Sequence, residues 1–423
     1  MRGDELLEKM ELVDPAYVEA ADAPRAKRRV RWTKWGAAAC AAVLVAAIMA
    51  VAVLPRNEEP PSLSSDAAQQ QTQEGSSLPI LTISEGSNQG MGFEGYMAYD
   101  VSEIISANPW TEDSQISELP VYKNPLEYHS KSPSMLIGGI DVERMREQLL
   151  NVAERLGLDT SNLEVKEVTM SEQELQSLKE WYANFGEKIP AGQLEPSQLV
   201  IETDGMRLDI TPDLTTSIFF EPMAELPEEY CTDDTATEED YLKLAQYLQE
   251  NYGALIDFES PQAEIVGGDY TYDGQRSFRY VSFFEGADSA EESIINYNFD
   301  RVSFYVDEGS NLMVIRVFAT DQSQKVGDYP LITVDEAKEK LAEGQYKSTV
   351  PAAFPGLDHV ARTELIYRTG QNETYFMPYY RFLVEIPEMA QDNGLKTYGA
   401  FYVPAVEDEY LSDMIVWDGR FNS

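Results

Sequence analysis

Histidine occurs at two positions only, His129 and His359, so general-base chemistry has to run through one of them or through carboxylates. A Ser-His-Asp relay around either lacks the Gly-x-Ser-x-Gly turn that would present a nucleophile. His129 sits in the polar run Tyr128-His129-Ser130-Lys131 and His359 directly precedes an apolar strand pattern, so both are expected at the surface or in a capping role. Glu259, Glu264, Asp269 and Asp273 lie close in sequence, and two of them on one cleft would suit glycoside hydrolysis. In so acidic a chain such neighbours are expected on solvated faces. Asp269–Gly274 opens like a calcium loop, but its third and twelfth positions are Thr271 and Tyr280, and it reads as a hairpin turn. His-Glu-x-x-His, Cys-x-x-Cys and Gly-x-x-x-x-Gly-Lys-Ser/Thr are absent, which argues against zinc hydrolysis, zinc ribbons and nucleotide binding. No residue is singled out as catalytic, cofactor-binding or metal-ligating, and no cofactor is expected.

The charge that surrounds these residues is uneven. The 423 residues hold 74 acidic and 32 basic side chains, a formal charge of −42, which excludes nucleic acid as a natural partner. Residues 1–35 contain eight bases and seven acids, and six of the bases fall in the acid-free run 25–34. Residues 36–54 carry no charge at all. Residues 55–423 therefore hold 24 basic and 67 acidic groups, and their carboxylates imply weak surface binding of divalent cations.

An uncharged run of this length spans a hydrocarbon core of about 30 Å as a helix. The basic block in front of it places that side in the cytoplasm, with Trp32 and Trp35 at the boundary. The expected topology is a single pass, N-terminus inside and C-terminus outside, in the cell membrane. A cleaved signal peptide is the competing reading, since Ala50-Val51-Ala52 has a small-x-small form, but a 35-residue arm is far longer than an ordinary leader's charged region. Cys40 lies inside the apolar run and Cys231 beyond it. Cys231 then has no partner for an intrachain disulfide, and among Glu228, Glu229, Asp233 and Asp234 it is expected to have a structural or incidental role rather than a reactive one. An exported domain without disulfides fits a bacterial envelope.

The elements that position these side chains follow from periodicity. Residues 1–35 form a cytoplasmic basic arm, 36–54 the membrane helix, and 55–77, rich in Pro, Ser, Gln and Glu, a disordered stalk. A small module is expected over 78–135. Three units of about 95 residues come next, at 136–232, 233–329 and 330–423, each opening on an amphipathic helix and continuing in antiparallel strands. In the first, a helix is expected over 141–156 with Gly157 as its stop, a second helix over 171–184, and strands over 163–169, 199–203 and 206–210. In the second, Thr237-Glu238-Glu239-Asp240 starts a helix that Gly253 ends, followed by strands 263–272, 276–284, 302–306 and 312–318. In the third, Thr333-Val334-Asp335-Glu336 is a capping box, with strands at 361–367, 379–386, 395–403 and 414–417. Tyr375, Tyr379, Tyr380, Tyr398 and Tyr402 cluster late in the chain, and alternation along strands sends such residues mostly into a core. The fold class is α+β: a transmembrane helix followed by an ectodomain of repeated helix-plus-antiparallel-sheet units.

The third unit resembles the PepSY-like pattern, on Ile332-Thr333-Val334-Asp335-Glu336-Ala337, Glu364-Leu365-Ile366-Tyr367, Pro378-Tyr379-Tyr380-Arg381-Phe382 and Tyr402-Val403-Pro404-Ala405. Serial units of this sort behind one membrane helix are similar to the YycH and YycI regulators of a cell-wall histidine kinase. The basic arm is similar to those of anchored clostridial proteins, some of them anti-sigma-like. The resemblance covers residues 330–406, and the close Val403-Pro404-Ala405-Val406 departs from the family's Asp-Ala-x-x-Gly. It implies a non-catalytic regulator that binds a protein or envelope partner outside the cell and modulates a signalling partner at the membrane. A wall- or glycan-binding module and a carboxylate-based hydrolase are the alternatives.

Overall fold

The computed structural model describes residues 78–83 and 95–417, apart from short breaks at 130–131, 233–235, 272–273, 278, 308–310 and 371–372. The stretches expected to form a basic arm (1–35), a membrane helix (36–54) and a stalk (55–77) lie outside the described residues, and among those described no helix is long and apolar enough to cross a membrane. The chain is α+β, with two large antiparallel sheets.

Before the first helix come the short strand Leu81–Thr82, β1 (Gly95–Ala98), β2 (Glu118–Lys123) and a separate two-stranded hairpin of Glu127–His129 with Ser132–Gly138. Helix α1 (Val142–Arg155) comes after them, capped by the Asp141 carboxylate on the Arg144 N–H, and it ends where Gly157 turns to φ +80°. Next come β3 (Val165–Val168), α2 (Glu172–Phe185), β4 (Gln198–Thr203), β5 (Met206–Ile210) and β6 (Thr216–Phe220). Helix α3 (Glu238–Ile256) opens on a Thr237–Asp240 capping box. Strands β7 (Pro261–Val266) and β8 (Tyr280–Glu285), helix α4 (Ala290–Phe299), and strands β9 (Asp300–Val306) and β10 (Asn311–Ala319) complete the first sheet.

In that sheet the order is β7-β8-β9-β10-β6-β5-β4-β3, with the short strand Ala224–Glu225 also on β10. Each half opens on a helix and supplies four strands, with a further helix between β3 and β4 in one half and between β8 and β9 in the other, and the halves meet through their fourth strands: β6 pairs with β10 at Ser217 and Arg316. The boundary expected at 232/233 therefore runs through a continuous sheet, because β6 and β10 would otherwise be open edges. One face is apolar and covered by α1 and α3. Met145, Leu149 and Val152 from α1, and Leu244 and Leu248 from α3, pack on Leu208, Ile218, Phe283, Phe304 and Ile315.

The second sheet is built from β11 (Lys325–Pro330), β12 (Val360–Arg368), β13 (Tyr375–Glu385) and β14 (Lys396–Pro404), with α5 (Val334–Ala342) packed beside β14. Its long central strand β13 pairs with β12 and with β14 along most of its length and with β2 at Tyr375 and Phe376; β11 extends the sheet beyond β2. The N-terminal module is thus not separate: β1 and β2 are strands of the third unit's sheet, and β11, placed before the 329/330 boundary, pairs with β2. The first strand of this unit, Lys347–Ser348, lies on β14, whereas the first strands β3 and β7 sit farthest from the fourth strands in the other sheet. The helix-then-strands repeat therefore has one strand order in the first two units and another in the third.

Several local expectations change. Helix α3 does not stop at Gly253; it bends at Tyr252 (φ −119°) and runs on to Ile256, because Leu255 and Ile256 are seated in the core and Asp257 takes the left-handed cap instead. Residues 414–417 form no strand; Leu411–Ser412 pairs in parallel with Leu81–Thr82, and the Trp417 N–H reaches the Gly344 carbonyl. Strands 263–272 and 276–284 pair only over β7 and β8, with an excursion between them closed by the Tyr270–Arg276 bridge. Helix α4 was signalled by Ser289-Ala290-Glu291-Glu292, whose serine caps the Glu292 N–H, and β6 by the β-branched and aromatic run Thr216–Phe220.

Candidate functional site

Alternation along a strand sends every second residue to the face away from α1 and α3, and register lines those residues into a row. Asp209 lies opposite Ser217, Ser217 opposite Arg316, Arg316 opposite Ser303, Ser303 opposite Ser282, and Ser282 opposite Glu264. Six strands thus place a polar ladder on the face of the first sheet opposite α1 and α3, and α4 reaches it at one end through Tyr297. At the far end Asp209 is buried, pairs with Arg207 at 3.3 Å, and has its pKa raised by burial against the pull of Arg207 and Arg316. In the middle Arg316 is exposed and lies over the Tyr305 ring at 5.2 Å, with Tyr280 stacked on Tyr305 at 4.4 Å.

At the near end the ladder is closed over. Glu264 is 4% exposed. It is paired with the Arg301 guanidinium and accepts from the Tyr297 hydroxyl at 2.7 Å and the Ala107 N–H at 3.1 Å. Burial draws the Arg301 pKa down, but Glu264 and the phenols of Tyr297 and Tyr280 outweigh it, so the guanidinium is held above its ordinary value. Burial and then Glu264 push the Tyr297 phenol up. Ser282 and Ser303 bond each other at 2.8 Å, and Arg301 Nε reaches Ser282 Oγ at 3.2 Å. A nucleophilic serine needs a free base beside it; here the adjacent carboxylate is already held by a cation, so these hydroxyls fix the sheet.

Beside Glu264 opens a cleft of about 770 Å³ between Ala107 and Pro109 on one side and Glu259, Gln262, Glu285 and Glu292 on the other. The Glu285 carboxylate is occupied by the Glu259 and Ser260 N–H groups at 2.6 and 2.7 Å. The cleft is acidic and suits a basic side chain or a cation electrostatically. Of the carboxylates that would make a glycosidase pair, the structure brings Glu259 to this cleft and buries Glu264 in its ion pair. Asp269 is elsewhere, bonded by the Ser277 hydroxyl at the base of the turn, and Asp273 lies outside the described residues. Thr271 and Gln275 bond across that turn as in a hairpin, with the Gly274 N–H returning to the Thr271 carbonyl. Among the described residues no group of three or more His, Cys, Asp or Glu side chains converges to hold a metal ion.

The other singled-out residues are scattered. His129 meets the Trp181 ring edge-on and lies 3.8 Å from Glu187. His359 is 3.7 Å from Asp358, at the start of β12. Cys231 is exposed and free. Tyr379, Tyr380, Tyr398 and Tyr402 are all buried and Tyr375 is half-buried; Tyr379 and Tyr380 are neighbours on opposite faces, so β13 is covered on both sides, beyond what alternation alone implied.

Sequence reading missed the second charged cluster. Lys347 is fully buried on the short strand beside β14, with its Nζ 3.4 Å from Glu373 Oε1, and Arg368 Nε is 2.8 Å from the same oxygen. Two cations thus share one carboxylate. Arg368 lies over the rings of Tyr402 and Tyr379 at 4.7 and 5.7 Å. Burial, with Arg368 adding to it against Glu373, drives the Lys347 pKa down to about 8. Lys347 stands in the polar stretch Gln345-Tyr346-Lys347-Ser348-Thr349, which carries no signal of burial; its environment depends on which strand Lys347 joins.

No protein-family model matches the chain, and no curated protein matches it in sequence. Among solved structures, an uncharacterised protein from Eubacterium rectale aligns over 69% of this chain and 84% of its own, at 10% identity and a TM-score of 0.29. A score that low carries no argument about fold or function.

Proposed function

We propose that the chain is a single-pass membrane protein whose folded C-terminal part binds an envelope or protein partner outside the cell and regulates a signalling partner at the membrane, without catalysis. The observation that carries this reading is the charge asymmetry about residues 36–54: six bases before an uncharged span, and 67 acids against 24 bases after it. The PepSY-like resemblance of residues 330–406 agrees with it. The way the polar residues of the first sheet are committed to one another also supports binding over catalysis. The acidic cleft beside Glu264 and the exposed Arg316–Tyr305 face are the surfaces offered to a partner, and the carboxylate excess would hold divalent cations weakly. Engagement outside would act mechanically, through the membrane helix, on what the basic arm meets inside.

The full chain with a C-terminal tag is expected to remain in bacterial membranes through an alkaline carbonate wash. Protease added to intact protoplasts should remove the tag. Release by carbonate, or a purified form beginning at about residue 53, would overturn the anchor. Crosslinking in the membrane is expected to recover a kinase or a sigma factor. Recovery of neither, with glycan retained by the protein, would replace regulation with wall binding.

A further inference from the structure

Strand β7 is the outermost of the first sheet on its side, with β8 as its neighbour. Pro261 lies opposite Glu285, and the Gly286 N–H reaches the Ser260 carbonyl at 2.9 Å. That bond sets the phase of the ladder. Gln262, Glu264 and Val266 turn their backbone groups to β8, whereas Pro261, Ala263 and Ile265 turn theirs outward. A strand tolerates proline where the missing N–H would face away from the ladder, and Pro261 meets that condition.

The outer edge is met at one end, just past β7, where Ile105 bridges Gly267 in the antiparallel sense. The chain then departs from it. The Ala107 N–H goes to the Glu264 side chain at 3.1 Å instead of the strand, and Asn108 Nδ2 reaches the Leu365 carbonyl on β12 at 3.1 Å. This divergence opens the cleft of about 770 Å³ between Ala107 and Pro109 and the start of β7. Ala263 is exposed in that cleft, and no backbone group among the described residues meets its outward N–H and C=O. Such groups at a sheet edge pair with a further extended segment. Glu259 and Glu292 stand exposed at the same cleft, and among the described residues neither carboxylate is held in an ion pair.

We propose that this cleft takes an extended polypeptide segment of a partner, paired through its backbone with the β7 edge at Ala263 and carrying lysine or arginine toward Glu259 and Glu292. The inference rests on the reading of the chain as a partner-binding protein and adds what the partner must present. Side chains of an extended segment alternate, so basic residues at every second position keep one row against the carboxylates.

Fluorescence anisotropy of labelled peptides with the full chain in detergent tests this. The probes are acetyl-Thr-Lys-Val-Lys-Thr-amide, the same peptide methylated on its backbone nitrogens, and its counterpart with glutamate for lysine. The lysine peptide is expected to bind and the glutamate peptide not to bind. The methylated peptide keeps the charges and is expected to bind about tenfold or more weakly, the effect of losing one or two backbone hydrogen bonds. Ala263→Pro removes the outward N–H and leaves the bonds to β8 in place, and is expected to weaken the lysine peptide by a similar factor. Glu259→Gln with Glu292→Gln, both at exposed positions, is expected to weaken it about three- to tenfold, since surface ion pairs are individually weak. Equal affinity for the plain and methylated peptides would reduce the effect to charge attraction and overturn the edge site. So would the absence of lysine-peptide binding. The methylated peptide is measured on the wild type, so the outcome stands even if Ala263→Pro does not fold. In the membrane crosslinking, a partner captured equally by the wild type and by folded Ala263→Pro would overturn the edge site and leave the partner-binding reading intact. Peptide binding that needs the backbone N–H groups, with no partner captured, would support the site and remove the regulatory reading.

Discussion

Glu373→Gln is expected to destabilise the folded part by about 3–5 kcal/mol, the cost of leaving buried charge unpaired, read as a lowered denaturant midpoint of the full chain. The carboxylate is the one acid within reach of both Lys347 and Arg368 among the described residues, so its loss leaves two cations in a buried site. Lys347→Met is expected to act in the opposite direction. It removes the surplus cation, keeps the Arg368–Glu373 pair, and should be neutral or stabilising by about 1–4 kcal/mol below pH 8. The sign with pH comes from proton counts. The Lys347 pKa is about 8 in the folded state and about 10.4 in an unfolded chain, so between those values the unfolded state binds more protons and stability rises with pH. The advantage of Lys347→Met should therefore be full below pH 8 and fade as pH rises towards 10. A pH-independent difference between the two proteins would show that Lys347 does not titrate in this window. In the double variant the penalty of Glu373→Gln should shrink, since only Arg368 is then unpaired, and that coupling measures the shared site directly.

Phe299→Ala is expected to cost about 3–5 kcal/mol through the cavity it leaves. Phe299 is fully buried and meets Tyr367, Tyr122 and Phe376 edge-on at 4.8, 5.3 and 6.2 Å. It ends α4, and the next residue, Asp300, begins β9 of the first sheet. Its ring belongs to the second core, with Ile294 from the same helix. The helix that links β8 to β9 thus seats its apolar side in the other sheet's core. The substitution is expected to lower the midpoint measured by signals from both sheets together. A loss confined to one sheet, or a change below about 1 kcal/mol, would show that the cores are not joined at this residue.

The edge of β12 shows a related use of side chains. The Tyr367 N–H donates to Asn298 Oδ1 at 3.0 Å, and Asn108 Nδ2 donates to the Leu365 carbonyl at 3.1 Å. Two asparagines from α4 and from the segment before β2 thus satisfy backbone groups that an open edge would present to another strand. Neither asparagine is identifiable from its own neighbours in sequence, because each acts on a strand remote from it in the chain.

What the sequence determines by itself is whatever depends on neighbours along the chain. Capping boxes at Ser171, Thr237 and Thr333 mark the starts of α2, α3 and α5, and Gly157 marks the stop after α1. Two-residue alternation marks β5 and β9, short apolar runs mark β4 and β10, and the class α+β comes from these elements. The uneven charge about residues 36–54 is likewise local. What only the tertiary structure decides is pairing between distant segments. A strand's pattern says which face is buried but not which strand lies beside it, so the joining of β6 to β10 and of β2 to β11 and β13 is not written in any window of residues. The same holds for buried charge. Glu264, Glu373 and Arg279 look like any other surface groups in a chain so rich in acids. Register and core packing alone place Glu264 against Arg301, Glu373 between two cations, and Arg279 against a tyrosine ring without an ion pair among the described residues, because the energy of a charge depends on what surrounds it in space.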